Sequence, residues 1–224
     1  ELLGVRKAEM PFLKMFMLAI LAGAFIALGA IFATTVAAGS MAITASGGET
    51  AFTTGFPFGF NRLLMGLVFC LGLVLVVVGG AELFTGNNLI VMAWANGKVT
   101  GRALLRNWAI VYIGNFVGSI GTVILMFLTR QYTFGANSIG ITALRTGVAK
   151  VELTFLQAIA LGILCNALVC LAVWLTYSAR STIDKIAAII FPITAFVAAG
   201  FEHSVANMYF IPYALFIKYF DPTY

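Results

Sequence analysis

Charged residues in this chain fence off long uncharged stretches, at 15–48, 63–81, 83–97, 107–129, 153–179, 186–201 and 204–217. A helix needs about 20 mostly apolar residues to cross the hydrocarbon core of a bilayer, and four of the stretches are long enough unaided. The stretches 83–97, 186–201 and 204–217 reach that length only when joined across Glu82 or across Glu202-His203. The fold class that follows is an all-α polytopic membrane protein. Its spans fall near 15–38, 62–95, 106–128, 153–178 and 185–213, with the second and fifth broken. Hydrophobic residues make up 62% and charged ones 9%, against about 45–50% and 25% in soluble domains. The 224 residues are therefore read as a single transmembrane domain with no room for a soluble catalytic one. The chain opens Glu1-Leu2-Leu3 without an initiator Met, and terminal parts are expected beyond both ends.

The two breaks repeat one pattern: Gly80-x-Glu82-x4-Asn87 and Gly200-x-Glu202-x4-Asn207 share residue types and spacing. They lie three spans apart. An odd number of spans reverses the chain through the membrane, so the copies form an inverted repeat, which points to a central site built from discontinuous helices. An acidic residue at the centre of a span costs about 2.5–3.5 kcal/mol on insertion scales, and a helix break frees backbone groups that lipid cannot satisfy. Both costs are tolerable only against protein or water. Glu82 and Glu202 are read as caps on the half-helices that restart here, since carboxylates accept from N–H groups at helix N-termini.

His203 is the only histidine and sits directly in the second break, where an ionisable group at membrane depth is a functional hypothesis by default. A single His also excludes a multi-histidine metal site. Thr85 occupies the matching place in the first break; its hydroxyl can donate or accept, and the half-helix that starts there aims its positive end at mid-membrane. Thr85 and His203 would face each other across the pseudo-twofold axis, a polar waist suited to a small anion or its conjugate acid. Asn166 in the fourth span is either an interhelical hydrogen bond or pore lining. Phe69, Leu73 and Phe196 lie near enough to the breaks to narrow a pore. Gly23, Gly29, Gly114, Gly118 and Gly121 are read as helix-packing seams, because small residues let membrane helices approach closely. Cys70, Cys165 and Cys170 sit inside apolar runs as small hydrophobes. Segments 39–60 and 130–150 are read as loops, the second carrying Arg130, Arg145 and Lys150.

The net charge of +5 does not indicate a nucleic-acid partner, because the basic residues lie at the ends of apolar runs and report topology. With the N-terminus cytoplasmic, the inner side holds Arg6, Lys7, Lys14, Lys98, Arg102, Arg106, Arg180 and Lys185, and the outer side holds Arg62, Arg130, Arg145, Lys150 and Lys218. The positive-inside rule favours that orientation. A membrane enzyme using His203 and Glu202 as acid and base is disfavoured, since no nucleophile, metal set or cofactor motif accompanies them. A scaffold in which Glu82 and Glu202 are packing groups is the other alternative.

Three separated motifs, Val77-Val78-Gly79-Gly80-Ala81-Glu82-Leu83-Phe84-Thr85-Gly86, the run Gly162 to Ala172, and Gly200-Phe201-Glu202-His203-Ser204-Val205-Ala206-Asn207-Met208, resemble the formate/nitrite transporter family, and within it the bacterial formate channels. The likeness runs from about Lys14 to Pro212. It implies an aquaporin-like inverted repeat in a bacterial inner membrane, a homopentamer with a pore in each protomer, and no cofactor. The substrate implied is formate, with nitrite, hydrosulfide and lactate as alternatives, and proton-coupled symport as the alternative to a channel. Carried onto matching positions, Phe69, Leu73, Phe84, Val169 and Phe196 would form two hydrophobic constrictions, and Thr85, Asn166 and His203 the polar waist. Glu202 would orient the loop holding His203, and Lys150 would lure the anion. The family has six spans, and this chain ends at Tyr224 without the sixth, which leaves one pore wall unaccounted for.

Overall fold

The computed structural model describes residues 1–39, 43–44, 50–52 and 56–223. The elements in chain order are α1 (Leu2–Ala8), α2 (Phe12–Ala38), β1 (Ile43–Thr44), β2 (Thr50–Phe52), α3 (Phe58–Gly79), α4 (Phe84–Asn87), α5 (Val91–Ala95), α6 (Gly101–Leu128), α7 (Ser138–Val151), α8 (Phe155–Leu175), α9 (Thr182–Ala199) and α10 (Ser204–Phe220). The short antiparallel β1–β2 pair lies in the segment read as the 39–60 loop, half of which falls outside the described residues. Among the described residues, five helical stretches are long and apolar enough to cross a membrane: α2, α3, α6, α8 with its terminal turn, and α9. The second and fifth spans are broken, as the pattern of fences requires. The second runs through α3, a gap and then α4 and α5; the fifth runs through α9, a gap and α10.

Both gaps are built alike. Each first half ends on a glycine in the left-handed region, Gly80 at φ +69° and Gly200 at φ +80°, where a Cβ would strain the backbone. Each then closes with the same bond, from Ala81 N–H to Val76 O at 2.9 Å and from Phe201 N–H to Phe196 O at 3.0 Å. The next amide is tied to a neighbouring span: Glu82 N–H donates to Leu18 O of α2 at 3.2 Å, and Glu202 N–H to Leu161 O of α8 at 3.3 Å. Freed backbone groups thus find protein partners instead of lipid.

Helix α2 is the central post. Its buried residues Met15, Ala19, Ala22, Gly23, Ile26 and Ala30 recur at helical spacing, and their small size lets α6 and α3 come close. A Cβ on Gly23 would lie 2.0 Å from Asn115 O, one on Gly118 would lie 1.9 Å from Ile20 O, and one on Gly29 would lie 2.8 Å from Phe69 O. Gly114 meets Ala19 in the same seam. Gly121 does not: nothing lies within 4 Å of its Cβ position, because it points away from α2.

The segment 130–150 is not a loop. It holds α7, whose buried Ser138, Ile139, Thr142, Ala143 and Gly147 form one face packed on α10 and α2. At 14 residues it spans about 21 Å, too short to cross, and it carries Lys150 to Glu202 in the second break. At the far end of α10, Asp221 accepts from the Tyr132 hydroxyl at 2.9 Å and from the Thr223 hydroxyl and amide. The Thr223 hydroxyl is the main reason this carboxyl is held below the usual carboxylate range.

Candidate functional site

The first break is held from two sides. Asn115, in the middle of α6, accepts from Phe84 N–H at 2.9 Å and donates to Glu82 O at 2.9 Å and Ala19 O at 2.8 Å. One side chain therefore satisfies backbone in the gap, at the start of α4 and on α2. The Glu82 carboxylate accepts from Lys7 of α1 at 2.7 Å and from Asn87 Nδ2 at 2.7 Å, and Lys7 also donates to Asn87 Oδ1 at 3.0 Å. Glu82 is not the helix cap that the sequence suggests. The residue preceding α4 is Leu83, with no side-chain cap, and both Glu82 oxygens are drawn instead to a lysine and an amide side chain.

The second break repeats the device from the opposite face. Glu202 accepts from Lys150 at 3.0 and 2.9 Å and from Asn207 Nδ2 at 2.8 Å. Lys150 thus comes from α7 as Lys7 comes from α1. The cap of α10 is His203, whose Nδ1 accepts from Ala206 N–H at 3.0 Å. An accepting Nδ1 places the ring proton on Nε2, and Nε2 lies 3.0 Å from Thr85 Oγ1. Thr85 and His203, each 4% exposed, therefore meet between the two half-helix starts.

A cavity lies on each side of this contact. The one nearer the N-terminus, about 210 Å³, is lined by Lys7, Leu73, Glu82, Asn87, Val173 and Tyr177 among others. The opposite one, about 340 Å³, includes Arg62, Phe69, Lys150, Phe196, Glu202 and His203. They share no lining residue. Phe69 and Phe196 stand edge to face with centroids 5.7 Å apart, and Phe196 stacks on the His203 ring at 5.7 Å. Leu73 lies one turn from Phe69 on α3 and is 2% exposed. Val169 is buried within the same core cluster. Phe84 lines neither cavity; its ring packs edge-on against Tyr112 and Trp108 of α6. Asn166 donates to Cys170 Sγ at 3.6 Å and leaves its buried Oδ1 without a partner. Among the described residues no group of His, Cys, Asp and Glu is arranged to hold a metal.

The family profile described as formate/nitrite transporter matches residues 2–222. The chain belongs to the formate/nitrite transporter family. Among its family relatives, the formate channel FocA of Escherichia coli (strain K12) is 45% identical over 217 residues, covering 97% of this chain and 72% of that protein. Formate channel FocA of Haemophilus influenzae is 42% identical over 211 residues, 94% of this chain and 69% of that one. A solved family structure, a pentameric formate channel with formate bound, superposes with TM-score 0.84 at 46% identity, covering 95% of this chain and 78% of its own.

Sequence reasoning named the waist and the glutamates but missed Lys7, Asn115 and Arg62. Lys7 and Arg62 enter the sequence reading as topology markers, and Asn115 has no role in it. The only signal available for Asn115 was its depth, since a carboxamide in the middle of an apolar helix needs partners.

Proposed function

We propose that the protein conducts small monovalent anions, formate first among them, across a bacterial inner membrane with its N-terminus in the cytoplasm, and that it assembles as a homopentamer with one path per protomer. The observation that carries this reading is the Thr85–His203 contact at 3.0 Å, placed between two separate cavities and flanked by apolar rings. Likeness to formate channels supports the substrate, and the pentameric relative supports the assembly. The channel function requires no reaction, and no catalytic residue is assigned.

The energetics favour passage as a neutral acid. Moving a bare carboxylate through a dry ring of Leu and Phe costs up to tens of kcal/mol by ideal Born estimates, whereas protonating an acid of ordinary pKa near 4 at pH 7 costs about 4 kcal/mol. The Thr85 hydroxyl, oriented by Nε2–H of His203, can donate to a carboxylate oxygen at the waist. A proton reaches the carboxylate either from solution or, once His203 has taken a second proton at Nδ1 and given up its bond from Ala206 N–H, on loan from the imidazolium through Thr85 Oγ1, and the loaned proton returns to the ring when the acid ionises on the far side. Leu73 with Val169, and Phe69 with Phe196, keep water out of that step. Phe84 supports it by packing on α6. Glu82 and Glu202 hold the two loops in register.

The test is flux through liposomes holding only this protein, with formate, nitrite, hydrosulfide and lactate compared between about pH 5 and 8 and internal proton uptake recorded in parallel. Formate flux rising with acidity supports the reading, and flux matched by proton uptake favours symport over a simple channel. Absence of flux for every one of these anions would return the protein to the scaffold alternative.

A further inference from the structure

We infer that Arg62 is the residue that gathers the anion, from one face only, and that it prefers a forked oxyanion such as formate or nitrite over hydrosulfide. This rests on the conduction reading above. The two cavities differ in the charges that line them. The N-terminal-side cavity holds Lys7 and Glu82, paired at 2.7 Å, and they cancel. The opposite cavity holds Arg62, Lys150 and Glu202 together with the His203 ring. There Lys150 donates to both Glu202 oxygens, so the residue first expected to lure the anion is already neutralised by a carboxylate.

Arg62 is placed differently. It comes from the first turn and a half of α3 and is half-buried. Its Nε donates to Ala198 O at 3.0 Å and its Nη2 to Val197 O at 2.8 Å. Both acceptors are neutral carbonyls at the end of α9, the negative pole of that half-helix. No ion pair involves Arg62 among the described residues. The Glu202 carboxylate acts on Arg62 only through space, so with Lys150 and Glu202 paired the cavity keeps one net positive charge, and two of Arg62's five N–H donors are engaged, which leaves the rest for a carboxylate. The planar fork matches an oxyanion in a way that an ammonium does not.

The inverted repeat makes this one-sided. Counting back from each Gly-x-Glu by the same number of residues, the counterpart of Arg62 is Thr182, which carries no charge. The site is also crowded by design: a Cβ on Gly200 would lie 2.8 Å from Arg62 Nη2. Gly200 is thus needed for its positive φ, and a side chain there would also displace the tip of the guanidinium.

The experiment uses the whole protein in planar bilayers, with formate or hydrosulfide added to one chamber at a time. It compares wild type, Arg62→Gln, Arg62→Lys and Lys150→Gln at low and high salt. Arg62→Gln is expected to raise half-saturating formate about tenfold on the Arg62 face, to leave the other face unchanged, and to flatten the salt dependence on the first face. Arg62→Lys keeps the charge and is expected to keep that salt dependence while losing the preference for formate over hydrosulfide. A residue that merely capped α9 would change total flux on both faces alike. An unaltered half-saturation and salt slope in Arg62→Gln, or the one-sided loss appearing in Lys150→Gln instead, would overturn the inference while leaving conduction intact. Should Arg62→Gln not assemble, an Arg62→Lys protein with wild-type preference between the two anions overturns it equally. No formate flux through wild type would overturn the conduction reading and this inference with it.

Discussion

At the scale of single residues, the site reduces to one contact between side chains 118 positions apart. The chemistry of that contact is set by a third group, the Ala206 amide, which occupies His203 Nδ1 and so decides that Nε2–H faces Thr85. Thr85→Val keeps the shape and removes the hydroxyl. A hydrogen bond to a charged group is worth about 1.5–3 kcal/mol, so formate flux in liposomes is expected to fall by roughly 10- to 100-fold, with Thr85→Ser retaining most of it. His203→Phe keeps a ring of similar size but loses both nitrogens. It removes a helix cap worth about 1 kcal/mol, and it is expected to conduct formate with little dependence on pH. Wild-type pH dependence in that variant would show that the ring lends no proton.

At the scale of elements, each broken span is a half-helix pair locked by a lysine brought from elsewhere: Lys7 on α1 and Lys150 on α7. The two locks differ in burial. The Lys150 and Glu202 side chains are 13% and 14% exposed, whereas Lys7 is 28% and Glu82 only 4% exposed. Removing one member of a buried pair leaves an unpaired charge, at a cost of about 3–5 kcal/mol. Lys7→Met, which strands the more deeply buried carboxylate, and Lys150→Met are therefore both expected to lower the thermal midpoint in detergent, and the double variant Lys150→Met with Glu202→Gln is expected to recover much of the loss of its single variant. Equal destabilisation by the single and double variants would mean that the pair is not the lock.

At the scale of the whole molecule, the bundle is organised by backbone contact along α2. The Gly118 and Gly23 Cβ positions lie 1.9 and 2.0 Å from carbonyl oxygens on the facing helix, so α2 and α6 touch through main chain. Gly118→Ala must push the two helices apart, and overpacking of this kind costs at least about 1–3 kcal/mol. It is expected to reduce folded protein sharply, while Gly121→Ala, on the open side of the same helix, is expected to be tolerated and to gain about 0.5–1 kcal/mol of helix propensity. Comparing the recovered oligomer and melting temperature of the two variants checks this.

Much of this was legible in the chain itself. A bilayer demands about 20 apolar residues per crossing, so the charge fences alone place the spans, and Glu82 and Glu202 stand out because their depth is costly. The repeat in Gly-x-Glu-x4-Asn made the inverted pair and the Thr85–His203 waist readable, since a motif at an odd span interval reverses direction whatever the packing. What only the tertiary structure decided was who answers those buried groups. Both glutamates turned from caps into anchors because Lys7 and Lys150 arrive on short helices with no local signal of their destination. The 130–150 segment became α7 because an amphipathic half-span is stable only against α10 and α2. Lys150 lost its free charge and Arg62 kept its own for the same reason: pairing depends on distance in space, and one-dimensional order does not encode which cation reaches a carboxylate.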